Sequence, residues 1–215
     1  MTGIRYWGDP YLTSLSSIVT AVAGDEVTLE ETIFYAFAGG QERDHGTIAG
    51  RPVLGARWEG ADIVYLLAAG HGLEAGAAVD VKIEGERRER LRRLHMATEI
   101  VLEALTQDDP DLVKVGAHIA PNKARIDFES RAALTERLPR ISGTVSELIS
   151  ADLPIVAAFS DVARRRRYWE ITGFARVPCA GTLPRKTGEI GPVMLRRKNP
   201  GKGRERIEIT LVSAG

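Results

Sequence analysis

The chain of 215 residues has little of three things: it carries one cysteine, no net charge and few aromatics. A single thiol excludes an intramolecular disulfide framework and makes a reducing cytosol the default compartment. No apolar run approaches the ~20 residues that a membrane span needs. The opening stretch MTGIRYWGDPYLTS lacks the basic and then apolar regions of a signal peptide. What is present, 44% hydrophobic and 27% charged residues, is the composition of a folded soluble chain rather than a disordered one. The length allows one large domain or two small ones.

The zero net charge is a sum of unlike parts. Residues 159–215 hold 13 Lys/Arg and 5 Asp/Glu, a balance of +8, and the first 158 residues hold 16 and 24, a balance of −8. A basic last quarter attracts phosphates whatever the whole-chain sum.

The pattern along the chain predicts α+β. In the first eighty residues, short apolar runs at 15–22, 27–29, 33–37, 63–67 and 77–83 are separated by glycine-rich turns. Such spacing predicts a small antiparallel β-barrel-like domain over 1–85. From residue 84 to 105 there is no proline, and Leu91, Leu94, Ala97, Ile100, Val101, Ala104 and Leu105 fall near helical period. That helix should stop before the Asp108-Asp109-Pro110 triplet. Strands are expected at 114–119 and 123–128 around Pro121-Asn122, and helices at 130–138 and 142–150. Ser130 and Ser142 or Thr144 are the expected N-caps of those helices. Extended runs at 154–159 and 168–174 and a closing hairpin, 193–197 with 206–212, complete an α+β domain over 86–215, helices packed on an antiparallel sheet.

Four constellations could carry chemistry. His95 and Glu99 lie four apart on the predicted helix and project from one face, so both can meet one ion or substrate atom. Imidazole and carboxylate are zinc ligands, but two ligands are not a site, and the alternative is a surface pair. Cys179 sits among Pro178, Gly181 and Thr182, a tight loop after a strand, where a thiolate can reach a metal; otherwise it is a small core hydrophobe. Gly39 and Gly40 allow close backbone approach and Gln41 offers both donor and acceptor, although Gly-Gly also makes a plain hairpin loop. Thr187-Gly188-Glu189-Ile190-Gly191 lacks the spacing of a phosphate loop. Finally, the run Arg164, Arg165, Arg166, Arg167 precedes Tyr168 and Trp169, aromatics that could stack on bases or ribose.

In order along the chain these pieces resemble the editing domain of alanyl-tRNA synthetase and its free-standing relatives, the AlaX proteins. Thr32-Ile33-Phe34-Tyr35 through Gly39-Gly40-Gln41, Asp44 and Gly46-Thr47-Ile48 resembles the TxFYPxGGGQxxDxG stretch. Arg92 to Glu99 resembles the RxxHTAxH helix, Pro178 to Leu183 the CGGTH loop, and Thr187 to Gly191 the TGEIG block. Lys202-Gly203-Arg204-Glu205-Arg206-Ile207 resembles the closing GKGxxRI strand.

The resemblance implies a medium-length AlaX type, a metal-assisted deacylase that frees tRNA(Ala) from wrongly attached serine or glycine. It implies catalytic roles for Cys179, His95 and Gln41, with Thr32, Gly39, Gly40 and Gln41 binding substrate. The family's metal set is HxxxH plus CxxxH. Here the second position is Glu99 and the fourth is Leu183, which leaves His95, Glu99 and Cys179 to hold one Zn2+ with an open position; His45 and His71 are possible replacements. The partner implied is tRNA, its acceptor end held by Arg164 to Arg167, in the cytoplasm. Two alternatives stand beside this. One is a metal-free homologue that binds tRNA or another aminoacyl ester without hydrolysis, and the other an enzyme of this fold acting on a different small aminoacyl substrate.

Overall fold

A computed structural model of the chain describes residues 1–130, 132–201 and 203–212. It contains two compact units, Met1–Ala38 with Glu42–Glu89, and Gly39–Gln41 with Arg90–Gly215. The architecture is mixed α+β, with mostly antiparallel strands.

In the first unit the strands are β1 (Gly3–Ile4), β2 (Ser14–Ala23), β3 (Glu26–Leu29), β4 (Glu31–Thr32), β5 (Gly46–Ile48), β6 (Arg51–Pro52), β7 (Gly55–Glu59), β8 (Asp62–Leu66) and β9 (Ala78–Ile83). Seven of them form one sheet in the order β6-β5-β9-β2-β3-β8-β7. The ten-residue β2 serves two partners: Ser14 to Ile18 pair with β9, and Val19 to Ala23 with β3. A register shift between Val19 and Ala21 adds local twist where it changes partner, so the sheet curls. Along β9, Val79, Val81 and Ile83 alternate inward, onto a core with Val19, Val27, Leu29, Ile63 and Tyr65.

The apolar run at 33–37 is not a strand. Pairing stops at Thr32, yet Ile33, Phe34, Tyr35 and Ala36 are all buried. Side chains satisfy this backbone in place of a sheet partner. Thr32 Oγ1 accepts the Phe34 N–H (2.9 Å), Asp44 Oδ2 accepts the Tyr35 N–H (2.7 Å), and Arg88 Nη2 donates to the Ile33 carbonyl (2.5 Å). Arg88 and Asp44 also form a fully buried ion pair, with Nε to Oδ1 at 3.0 Å. Removing either partner strands a buried charge, at a cost of about 3–5 kcal/mol.

The second unit is built on α1 (Gly85–Asp108), whose first residues belong to the first unit. The helix runs to the edge of the Asp108-Asp109-Pro110 triplet, where Asp109 N–H still reaches the Leu105 carbonyl at 2.9 Å and Pro110 has no N–H to continue. Next come β10 (Val113–Ile119), β11 (Ala124–Glu129), α2 (Leu138–Ser150), β12 (Val156–Asp161), β13 (Arg166–Ile171), β14 (Ala175–Pro178), β15 (Val193–Gly201) and β16 (Arg204–Leu211). They form a four-stranded antiparallel sheet, β10-β11-β16-β15, and a three-stranded one, β12-β13-β14. Leu91, Leu94, Ile100, Val101 and Leu105 of α1 share one core with Ile126 and Phe128 of β11 and Ile207 and Ile209 of β16.

Three local expectations change here. Where a helix over 130–138 was expected, only a 3-10 turn at Leu134–Glu136 forms, and Ser130 Oγ bonds Ala132 instead of capping; Arg131 lies outside the described residues. The second helix begins at Leu138 with Pro139 in its first turn, so Ser142 and Thr144 lie within it, and its N-cap is Arg137 without a side-chain cap. Strand β13 stops at Ile171, because Phe174 N–H turns back to the Ile171 carbonyl at 3.0 Å. The β15–β16 hairpin closes with Gly201 opposite Arg204, and Lys202 of its turn lies outside the described residues.

Candidate metal centre

The i,i+4 spacing on α1 puts His95 and Glu99 on one face, with His95 Nε2 3.6 Å from Glu99 Oε1. Cys179 follows β14 and is fixed by its N–H to the Arg167 carbonyl (3.0 Å), with Sγ 3.5 Å from His95 Nε2. The three donor atoms lie within 4.8 Å of one another. Ligands at tetrahedral zinc distances stand about 3.4–3.6 Å apart, so the nitrogen–sulfur and nitrogen–oxygen separations fit an ion between them. Leu183, at the family's fourth position, is buried in the apolar core and offers no donor. The set offers one nitrogen, one oxygen and one sulfur donor, a group that could hold a metal ion.

Five further residues shape the cluster. Gln41 and Thr182 are fully buried, and Gln41 Oε1 accepts a hydrogen bond from His95 Nδ1 at 2.5 Å while its Nε2 donates to Thr182 Oγ1 at 3.2 Å. This bond directs Nε2 at Glu99 and Cys179. Gly40, at φ +88°, brings Gln41 into place: its carbonyl accepts the Ile119 N–H at 2.8 Å, and a Cβ there would stand 2.7 Å from the Ala117 carbonyl oxygen. Gly181 lies against the imidazole so closely that a Cβ would fall on the ring, while its N–H points at Cys179 Sγ (3.4 Å). On the far side, Trp169 donates its indole N–H to Glu99 Oε2 at 3.0 Å.

The charges of this cluster support one another. Burial alone would lower the His95 pKa, but the charge of Cys179 and its hydrogen bond, joined by Glu99, push it up to about 10. Burial pushes Glu99 up, and the hydrogen bond and charge of His95 outweigh it, aided by Trp169 and Lys114, so its carboxyl titrates below the usual range. His95 is thereby held toward its protonated form and Glu99 toward its ionised one.

Other expected site residues are placed as follows. Thr32 belongs to the first unit, fully buried, where Tyr65 O–H donates to its Oγ1 at 2.6 Å. His71 has both ring nitrogens engaged, Nε2 with the Gly24 carbonyl and Nδ1 with the Leu73 N–H, each at 3.0 Å. His45 lies beside Glu84 at 3.8 Å. In the arginine run, Arg164 is exposed on the β12–β13 turn and Arg166 at the start of β13, whereas Arg167 is buried with its guanidinium 5.4 Å from the Phe159 ring centroid. Trp169 is fully buried and therefore cannot stack on bases; Tyr168 is half-buried under the Arg176 guanidinium, 3.8 Å from its ring centroid. The Thr187 to Gly191 block braces the fold: Thr187 Oγ1 accepts the Leu153 N–H at 2.8 Å, and Arg93 Nε donates to the Ile190 carbonyl at 2.8 Å.

The sequence does not reveal Trp169 as a partner of Glu99, nor Gly181 and Thr182 as neighbours of His95 and Gln41. Gly181 and Thr182 lie in the same loop as Cys179, which is the signal that was available; Trp169 carries none.

No family model matches the chain. The alanine--tRNA ligase of Methanopyrus kandleri is 34% identical over 219 residues, covering 87% of this chain and 22% of that protein, so the chain spans less than a quarter of the ligase. The alanyl-tRNA editing protein AlaX-M of Pyrococcus horikoshii is 27% identical over 215 residues, 98% of each chain. That of Methanosarcina acetivorans is 27% identical over 246 residues, 99% of this chain and 100% of its own. Matched from end to end by these editing proteins, with the His95 helix and the Cys179 loop brought together, the chain belongs to the AlaX-type proteins.

Proposed function

We propose that this protein hydrolyses the ester of tRNA(Ala) wrongly charged with serine or glycine, using one Zn2+ held by His95, Glu99 and Cys179. The observation that carries the reading is the convergence of those three donor atoms within 4.8 Å of one another. A zinc ion bound there supplies Lewis-acid activation of water at neutral pH. The protein's own contribution is orientation. Gln41 holds the ring of His95 through Nδ1, Gly181 turns its N–H toward the Cys179 sulfur, and Trp169 occupies the outer oxygen of Glu99. The exposed Arg164 on the β12–β13 turn and Arg166 at the start of β13 suit contact with acceptor-end phosphates, in a cytoplasmic setting.

The experiment is deacylation of purified Ser-tRNA(Ala) and Gly-tRNA(Ala) by the zinc-loaded protein and by Cys179→Ala. The reading expects hydrolysis by the first and a loss of at least about 100-fold in the second, with tRNA binding kept. Equal rates for the two would remove Cys179 from the reaction.

One observation favours a second reading, binding without hydrolysis. His95 Nε2 already has Cys179 Sγ at 3.5 Å and Glu99 Oε1 at 3.6 Å as direct partners, and Leu183 removes a ligand. Mischarged tRNA bound tightly but left intact by protein loaded with one zinc would select that reading.

A further inference from the structure

We infer that Trp169 is the positioning residue that makes a glutamate serviceable as a ligand at this centre. The inference rests on the metal-centre reading and deepens it. A carboxylate has two oxygens, and Glu99 has a flexible side chain, so nothing in the helix alone decides which oxygen faces His95 and Cys179. The indole N–H is a donor with no acceptor capacity. It takes Glu99 Oε2 at 3.0 Å and leaves Oε1 as the oxygen 3.6 Å from His95 Nε2. Ligation is thereby restricted to one oxygen.

The indole itself is rigid. Trp169 is fully buried at the middle strand of the three-stranded sheet, in register with Ala157 of β12 and Val177 of β14. It stacks on Phe174 with ring centroids 6.4 Å apart and planes 20° from parallel. The donor thus comes from a fixed ring on a sheet strand, 70 positions along the chain from Glu99. Gln41 orients His95 and Trp169 orients Glu99, so the two helix ligands are each held from behind by a separate element.

The test titrates Co2+ and Zn2+ into the metal-free full-length protein, its Trp169→Phe variant and each in a Glu99→Ala background. Affinity is read by chelator competition and ligation by the visible absorption of Co2+. Trp169→Phe should weaken binding about 10–100-fold and shift the Co2+ bands. In the Glu99→Ala background the same change should alter affinity by no more than about twofold, because the pair then acts as a unit already broken. A merely structural role would instead carry through to that background. Benzothienylalanine at position 169 alone keeps the ring shape without the N–H, and it must reproduce the loss if Trp169→Phe does not fold. Tight metal binding by the wild type with unchanged affinity and spectrum in both replacements overturns the inference alone. No metal uptake by the wild type overturns the metal centre and the inference with it.

Discussion

His95 Nδ1 stands 2.5 Å from Gln41 Oε1, across 54 positions of sequence, and this contact sets the direction of the imidazole. With Nδ1 committed to the amide, only Nε2 faces Glu99 and Cys179. Gln41→Ala leaves the ring free to rotate and should weaken zinc binding about 10–100-fold, as other outer partners of metal-bound histidines do. Gln41→Glu keeps an acceptor at the same place and should retain most of the affinity. Chelator competition on both variants checks the pair; equal losses would show that the acceptor is not what matters.

Gly181 is the second test of the same geometry. A methyl group there would fall on the His95 ring, so Gly181→Ala forces the imidazole or the loop to move. Overpacking of this kind costs about 1–3 kcal/mol. Denaturant unfolding should show that loss in the metal-free protein, and zinc affinity should fall further than stability does, because the displaced group is one of the proposed ligands.

Protons supply a third prediction. The His95 pKa is pushed up to about 10 in the metal-free protein, and a metal needs the neutral ring. Zinc binding should therefore release about one proton from His95 at pH 7, and apparent affinity should rise with pH up to about 10. Calorimetry in buffers of different ionisation enthalpy measures the release. The stability of the metal-free form has the opposite sign. A raised folded pKa stabilises fully below the unfolded value of 6.5, and that stabilisation is lost as pH rises through about 10. His95→Gln should flatten this alkaline decline.

The β12–β13 turn supplies a fourth. Arg164→Ala with Arg166→Ala removes two exposed cations without touching the buried Arg167. If both contact phosphates, the slope of log affinity for tRNA against log salt should fall in magnitude by about 1.4–1.8. An unchanged slope assigns the turn to solvent.

Much of this was legible in the chain, and the reasons differ by element. The four-residue spacing of His95 and Glu99 fixes a shared helical face, and the apolar series from Leu91 to Leu105 announces the helix that carries it. The strand–loop position of Cys179 was readable from its Pro and Gly neighbours. The 33–37 run misled because apolar content reports burial, not pairing; Asp44 and Arg88, distant in sequence, hold its backbone instead of a neighbouring strand. Ser142 and Thr144 have capping chemistry, but Pro139 starts the helix before them. Trp169 was legible as an aromatic and illegible as a partner of Glu99, because a hydrogen bond between residues 70 apart leaves no local pattern.

The central claim is that hydrolysis depends on one ion held by three ligands, and metal titration under single-turnover conditions tests it most directly. Zinc is added stepwise to metal-free protein mixed with Ser-tRNA(Ala), and deacylation is read against the metal bound. The account predicts a rate that rises linearly, saturates at about one equivalent and disappears on chelation. A rate indifferent to zinc, or no deacylation with one equivalent bound, would contradict it.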